Sequence, residues 1–211
     1  MKYIHRETEL KNMIPEDVKT ILEIGSQNIG ISKSSFKNDK WETTTIDIIN
    51  ADVTQDFNNN QKLQFDKNSF DLIIMTGILE HLVHVDTIIK ESIRVTKKYI
   101  LISLPNHACI NNRISLLFGQ INVCSNYDII PLEYGGENYS PYGHKHYFSI
   151  RGAEQFVKWF YKGYKNKCYV FSCWGGKYLP EGFRNWLKEI KPSLFVGEVI
   201  YLIEKLEEVK Q

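Results

Sequence analysis

Two features of this chain combine residue types and spacing suited to ligand chemistry. The first is the run Glu23-Ile24-Gly25-Ser26-Gln27-Asn28-Ile29-Gly30, with Asp47 about 20 residues beyond Gly25. A glycine lets the chain leave a strand sharply, and a carboxylate at that distance is placed to accept two hydroxyls of a ribose. A dinucleotide fingerprint needs a glycine where Gln27 stands, so that backbone approaches a pyrophosphate. No Gly-x-x-x-x-Gly-Lys-[Ser/Thr] loop occurs either. The pattern fits a nucleoside without phosphates.

The second feature is a set of imidazoles: His81, His107, His144 and His146. Histidine is the side chain whose free pKa, near ~6.5, lies closest to working pH, so each is a candidate general base. His81 ranks first because it directly follows an apolar strand, although Glu80-His81 reads equally as a polar pair opening a helix. His144-Lys145-His146, if extended, would send both imidazoles to one side as a metal pair does. No third ligand stands near them in sequence, so the pair reads as non-metal. Tyr134, Tyr139, Tyr142 and Tyr147 suit stacking on a sugar or ring, and equally the packing of a surface loop. Arg113 and Arg151 suit an anionic acceptor or an exposed salt bridge.

The elements that must position these groups alternate between strand and helix patterns, which argues for an α/β sheet covered by helices. Thr20–Ile24 and the β-branched Thr43–Ile49 are expected strands, followed by Phe70–Met75 and by Tyr99–Leu104, which stops at Pro105. Near-continuous apolar runs are what central parallel strands, buried on both faces, require. Asp86 is the expected cap of a helix carrying Ile88, Ile89, Ile93 and Val95 at 3–4 spacing. Ser149 is the expected cap of another, with Ala153, Phe156, Val157 and Phe160 on one face. Cys168–Cys173 and Phe195–Ile203 are expected as a hairpin-like pair flanking a short helix around Gly182–Lys191. Residues 107–148, rich in Asn, Tyr and Gly, form a long connection of the kind that serves as a lid.

Composition sets the limits. The 211 residues carry 26 Lys+Arg against 25 Asp+Glu, a net charge of +1, with 43% hydrophobic residues. That is a globular chain with a real core, and its charge lacks the basic excess of a nucleic-acid binder. No apolar run reaches the ~18 residues of a membrane span. Cys109, Cys124, Cys168 and Cys173 form no Cys-x-x-Cys pair and read as buried or incidental thiols of a cytoplasmic protein.

Taken in order, Ile21-Leu-Glu-Ile-Gly25-Ser26, Asp47, Asp52-Val53, Ser69-Phe-Asp-Leu-Ile-Ile, Leu79-Glu80-His81 and Leu104-Pro105-Asn106 resemble the successive motifs of class I S-adenosylmethionine-dependent methyltransferases. The stretch Ser103 to Gly119, with His146 and Ser149-Ile-Arg151, is similar to the MetW-like branch. The resemblance implies a Rossmann-like doubly wound, mostly parallel seven-stranded sheet with an antiparallel last strand, built as one domain over 1–211. It implies S-adenosylmethionine as cofactor. Gly25 and Ser26 would pass under its methionine end, and Glu23 would orient the amino group. Asp47 would hold the ribose, Asp52 would meet the adenine amino group, and Val53 would pack beside the ring. Thr76 and Gly77 would line the floor beneath the sulfonium, with His81 and Asn106 facing the acceptor. Gln27 and Ile29 depart from the family's glycines, and the short spacing of the first two strands implies a short helix between them.

Methyl transfer to a small molecule, a sugar or other hydroxyl among the candidates, is the expected activity. The MetW-like resemblance also implies a second role, that of an accessory subunit supporting an acyltransferase of methionine synthesis without transferring methyl itself. A degenerate methyltransferase fold acting as an interaction module is the third.

Overall fold

The computed structural model describes residues 6–25, 36, 40–48, 50–59, 62–119, 144–172 and 180–206. Seven strands form one sheet: β1 (Thr20–Ile24), β2 (Glu42–Asp47), β3 (Val53–Thr54), β4 (Phe70–Thr76), β5 (Thr96–Pro105), β6 (Lys165–Ser172) and β7 (Val196–Glu204). Their spatial order is β3-β2-β1-β4-β5-β7-β6. The first five lie parallel, and β7 runs antiparallel to both β5 and β6. The expected doubly wound sheet with its antiparallel last strand is therefore the fold.

Period-2 alternation divides each central strand between two cores. Leu22, Ile24, Ile73, Met75, Ile100 and Ile102 face one side, where Ile88, Ile89, Ala153 and Val157 cover them. Those four belong to α2 (Val85–Val95) and α4 (Ile150–Phe160). Ile21, Leu72, Ile74, Leu101 and Ile200 face the other side, under Leu10, Ile14, Val18, Phe36 and Trp41. Leu10 comes from α1 (Arg6–Met13), an element with no apolar stripe to announce it. Burying each such aliphatic side chain stabilises the fold by about 1.5–3 kcal/mol, which is why the parallel strands tolerate so few polar residues.

Most differences from the sequence reading lie at boundaries. β2 ends at Asp47 rather than reaching Ile49, and β3, two residues long, is added at the sheet edge. β5 starts three residues before Tyr99, at Thr96, and its pairing with β4 shifts register between Thr96 and Tyr99, opposite Phe70 and Leu72. Asp86 does not cap α2: His84 holds the N-cap position, and Asp86 sits in the first turn facing Lys90 at 3.3 Å. Ser149 does cap α4, its hydroxyl accepting the Gly152 N–H at 3.1 Å. The connection after β5 opens as α3 (Ile110–Leu117), a helix absent from the sequence reading. The short helix expected near Gly182–Lys191 is α5 (Glu181–Ile190), followed by α6 (Pro192–Phe195). Residues 120–143, with Cys124, Tyr134, Tyr139 and Tyr142, and Cys173 lie outside the described residues.

Candidate functional site

In an open parallel sheet the ligand crevice lies beyond the carboxyl ends of the strands, where the winding changes direction. Here that point lies between β1 and β4, since β2 and β3 extend the sheet one way and β5 the other. Both strands leave it through a left-handed glycine: Gly25 at φ 77° and Gly77 at φ 67°. The two glycines differ in surroundings. A Cβ on Gly25 would stand 2.7 Å from Ile78 Cδ1, whereas one on Gly77 would meet only Glu80 Oε1 at 3.9 Å. Gly25 is therefore fixed by both backbone and packing, Gly77 by backbone alone.

Gly25 N–H donates to the Ile46 carbonyl at 2.9 Å, which sets it beside Asp47 at the end of β2. Asp47 is 8% exposed, and its Oδ1 accepts the Ile48 N–H at 2.6 Å. Its own carbonyl accepts the Gln55 N–H at 2.8 Å, closing the loop that carries Asp52 and Val53. Asp52 Oδ2 takes both the N–H and the hydroxyl of Thr45, at 3.0 and 2.9 Å, and Asp52 N–H returns to the same hydroxyl at 3.0 Å. This reciprocal clasp holds the loop over the sheet edge. Glu23, also buried, lies on β1 opposite Thr45 and Ile74. The structure thus brings Glu23, Gly25, Asp47, Asp52 and Val53 to one corner, while Ser26 and the rest of the turn to Gly30 lie outside the described residues.

Thr76 ends β4 opposite Ser103, whose hydroxyl accepts the Gly77 N–H at 3.1 Å. A 3-10 turn, Leu79–His81, follows directly. The Glu80 carbonyl accepts the N–H groups of Lys145 and His146, at 2.6 and 3.1 Å, so the distant 144–148 segment is stapled to this turn. A second staple joins that segment to the end of β5: His107 N–H donates to the Phe148 carbonyl at 2.8 Å, and Phe148 N–H to His107 Nδ1 at 3.0 Å.

These staples gather residues that are far apart in sequence. The His81 and His144 rings meet edge to face at 4.6 Å between centroids, and His107 Nε2 lies 3.0 Å from His144 Nδ1. The Tyr147 and His107 rings also meet in a T-shaped arrangement, at 5.1 Å between centroids. Burial, reinforced by repulsion from His81 and His107, lowers His144 to about 4. Burial likewise lowers His107. Glu80, 5% exposed, lies beside them, and one ligand atom each from Glu80, His81 and His144 fall within 4.8 Å of one another. Sequence reasoning paired His144 with His146. The staple through the Glu80 carbonyl instead pairs it with His81 and Glu80, and no local spacing could have announced that.

Asn106 is placed differently from its sequence expectation. Its amide donates to the carbonyls of Ser193 and Val196, at 3.2 and 2.6 Å, and its Oδ1 accepts the Ala108 N–H at 3.1 Å. At 3% exposure, it knits the end of β5 to α6 and β7. Arg113 donates to the Ala108 carbonyl at 2.7 Å, a local bond rather than an anion contact. Among the described residues, Cys109 and Cys168 are free thiols. No helix among them is long and apolar enough to cross a membrane.

Known proteins can be set beside this geometry. The structure is similar to a SAM-dependent methyltransferase from Archaeoglobus fulgidus at 15% identity and a TM-score of 0.58, over 94% of this chain and 92% of that one. It is similar to a SAM-dependent methyltransferase from Methanosarcina mazei at 18% identity and a TM-score of 0.54, over 95% and 98%. A third is Haemonchus contortus phosphoethanolamine N-methyltransferase 2 in complex with S-adenosyl-L-methionine: 13% identity, TM-score 0.52, over 94% of this chain and 51% of that one. At such identities the likeness shows the fold. No curated protein in the comparison matches the chain. The family model described as methionine biosynthesis protein MetW matches residues 19–137, more than half of the chain and all of the strand-tip corner, and the protein belongs to that family.

Proposed function

We propose that the chain binds S-adenosylmethionine across the tips of β1, β2 and β4 and directs its methyl group to a small-molecule acceptor, a sugar or other hydroxyl among the candidates. One observation carries this reading: the buried carboxylate of Asp47 stands beside a left-handed glycine at the point where the sheet changes winding direction. The donor set fits the group, because a carboxylate at that corner accepts ribose hydroxyls. Asp47 holds the ribose, and Asp52 and Val53 meet the adenine. Glu23, Gly25 and Ser26 receive the methionine end, and Thr76 and Gly77 form the floor below the sulfur. The space a Gly25 Cβ would need is filled by Ile78, so Ile78 shapes the wall of this corner.

When bound, this cofactor supplies a methyl carbon already activated by a sulfonium. The protein therefore has to align the reacting atoms and exclude water, which is mainly positioning. A hydroxyl acceptor must also lose its proton, and His81, at the turn after β4, is the group proposed to take it. His144, held near 4, is neutral at working pH and places no cation beside it. Asn106 serves here as a positioning residue for the β5 end rather than as a group facing the acceptor. Residues 107–148 shape the acceptor side of a single domain.

The family match favours a second reading, in which the same fold supports an acyltransferase of methionine synthesis. Two measurements separate them. Transfer of label from methyl-labelled cofactor to a low-molecular-weight acceptor is expected for the first. Capture of a homoserine acyltransferase by the purified chain, with no label transfer, would replace it by the second. Calorimetry showing no heat with either S-adenosylmethionine or its demethylated product would remove the cofactor from both.

A further inference from the structure

We propose that Glu80, His81 and His144 form a binding site for a divalent transition-metal ion of the zinc class, and that His107 competes with the ion for His144. Their ligand atoms lie within 4.8 Å of one another. Ligands held ~2.0–2.1 Å from an ion stand roughly 3.3 Å apart in tetrahedral geometry, so small side-chain rotations close the set. The clustering is built into the backbone. Glu80 and His81 share one turn, and the carbonyl of Glu80 itself accepts the N–H groups of the two residues after His144. Two imidazoles with one carboxylate select zinc, iron, cobalt or nickel over magnesium and calcium, which favour all-oxygen sets. Three protein ligands leave a position open, as in catalytic rather than structural sites.

The protons on the histidines give the competition. Phe148 N–H donates to His107 Nδ1, so neutral His107 carries its proton on Nε2. That proton points at His144 Nδ1, 3.0 Å away, and neutral His144 therefore carries its own proton on Nε2. An ion reaching Nδ1 must displace the bond from His107. An ion reaching Nε2 drives the His144 proton onto Nδ1, where it meets the His107 N–H head on. By either nitrogen, metal binding and the His107–His144 hydrogen bond exclude each other.

The inference rests on the proposed methyl transfer only for the use of the ion. With an ion bound, His81 is a ligand rather than the base: the charge of the ion would lower the pKa of an acceptor hydroxyl at the open position, whose proton would pass to solvent water. The binding itself is read without S-adenosylmethionine, so its failure and the failure of cofactor binding are separate results.

The test titrates the full, chelator-stripped chain at neutral pH with Zn²⁺ alone, with Mg²⁺ for comparison, then records the visible spectrum with Co²⁺. One tight Zn²⁺ per chain is expected, with weak or no Mg²⁺ binding and Co²⁺ bands of a nitrogen–oxygen site. Glu80→Gln and His144→Gln, which keep side-chain volume, are expected to weaken Zn²⁺ by roughly tenfold or more. His107→Ala is expected to tighten it by roughly two- to tenfold, the worth of one displaced hydrogen bond. Unchanged affinity in both Glu80→Gln and His144→Gln, or an intense sulfur-to-cobalt band marking thiol ligation, overturns the site. Unchanged or weakened affinity in His107→Ala overturns the competition.

Discussion

The two ends of the sheet use polar and charged groups in opposite ways. At the end where the parallel strands begin, charged side chains tie strands and helices together. Asp71 Oδ2 accepts the N–H groups of Lys19 and Thr20, both at 3.0 Å, while Lys97 donates to Oδ1 at 3.1 Å. Lys205 donates to Asn68 and to the carbonyls of Ile93 and Thr96. Arg94 reaches the carbonyls of Leu63 and Phe65 as well as Glu91. At the opposite end stand Glu23, Asp47, Glu80 and the histidine cluster, gathered around two left-handed glycines. One end uses charge to fix the fold. The other concentrates burial and acid–base groups at the proposed ligand site, so substitutions at the two ends should separate stability from binding.

The largest effect is expected from Gly25→Ala, which combines a positive φ with an overlap against Ile78. It should destabilise the fold by about 3 kcal/mol in denaturant unfolding, and Gly77→Ala, with open space around it, by about 1. Equal losses would remove the packing distinction between the glycines. Next comes Asp71. Burial raises its pKa, but the N–H groups of Thr20 and Lys19 and the Lys97 ammonium outweigh this and hold it at about 2, below the ordinary 3.8. A depressed carboxylate stabilises the native state fully above its unfolded pKa and loses that contribution as pH falls through its folded pKa. The wild type should therefore shed about 2 kcal/mol between pH 4 and pH 2, and Asp71→Asn should flatten that slope while leaving ligand binding alone.

Smaller effects follow at the helix margins. Ser149→Ala removes the bond to Gly152 and should lower stability by about 1 kcal/mol in the same unfolding measurement. Lys90→Ala breaks an exposed pair with Asp86, which leaves α2 capped as before, and should change stability by less than about 0.5 kcal/mol. A large loss there would mean that the acidic first turn matters more than the geometry indicates.

The same contrast explains what the sequence made legible. Strands buried on both faces, such as Ile21–Ile24 and Leu72–Met75, announce themselves as apolar runs, and their order yields the sheet. Val53–Thr54 does not, because a two-residue edge strand has no periodicity to read. Thr96-Lys97-Lys98 belongs to β5 although its lysines are exposed, since their task lies at the clamped end, toward Asp71 and Asp17. That Gly25 and Asp47 are neighbours was legible because strand geometry converts their spacing into proximity. The histidine cluster was not, because His81, His107 and His144 meet only through the staples to the Glu80 and Phe148 carbonyls. The partners of Asn106 were hidden for a related reason: its position after β5 suited a ligand, and its amide donates to carbonyls of α6 and β7.

The central claim is that the Asp47 corner receives a ribose. Calorimetric titration of wild type and Asp47→Ala with S-adenosylmethionine, alongside their unfolding curves, tests it most directly. Saturable binding by the wild type and a loss of roughly tenfold or more in the variant, at nearly unchanged stability, is the expected result. Equal affinity in the two proteins, or no binding by the wild type, would contradict it.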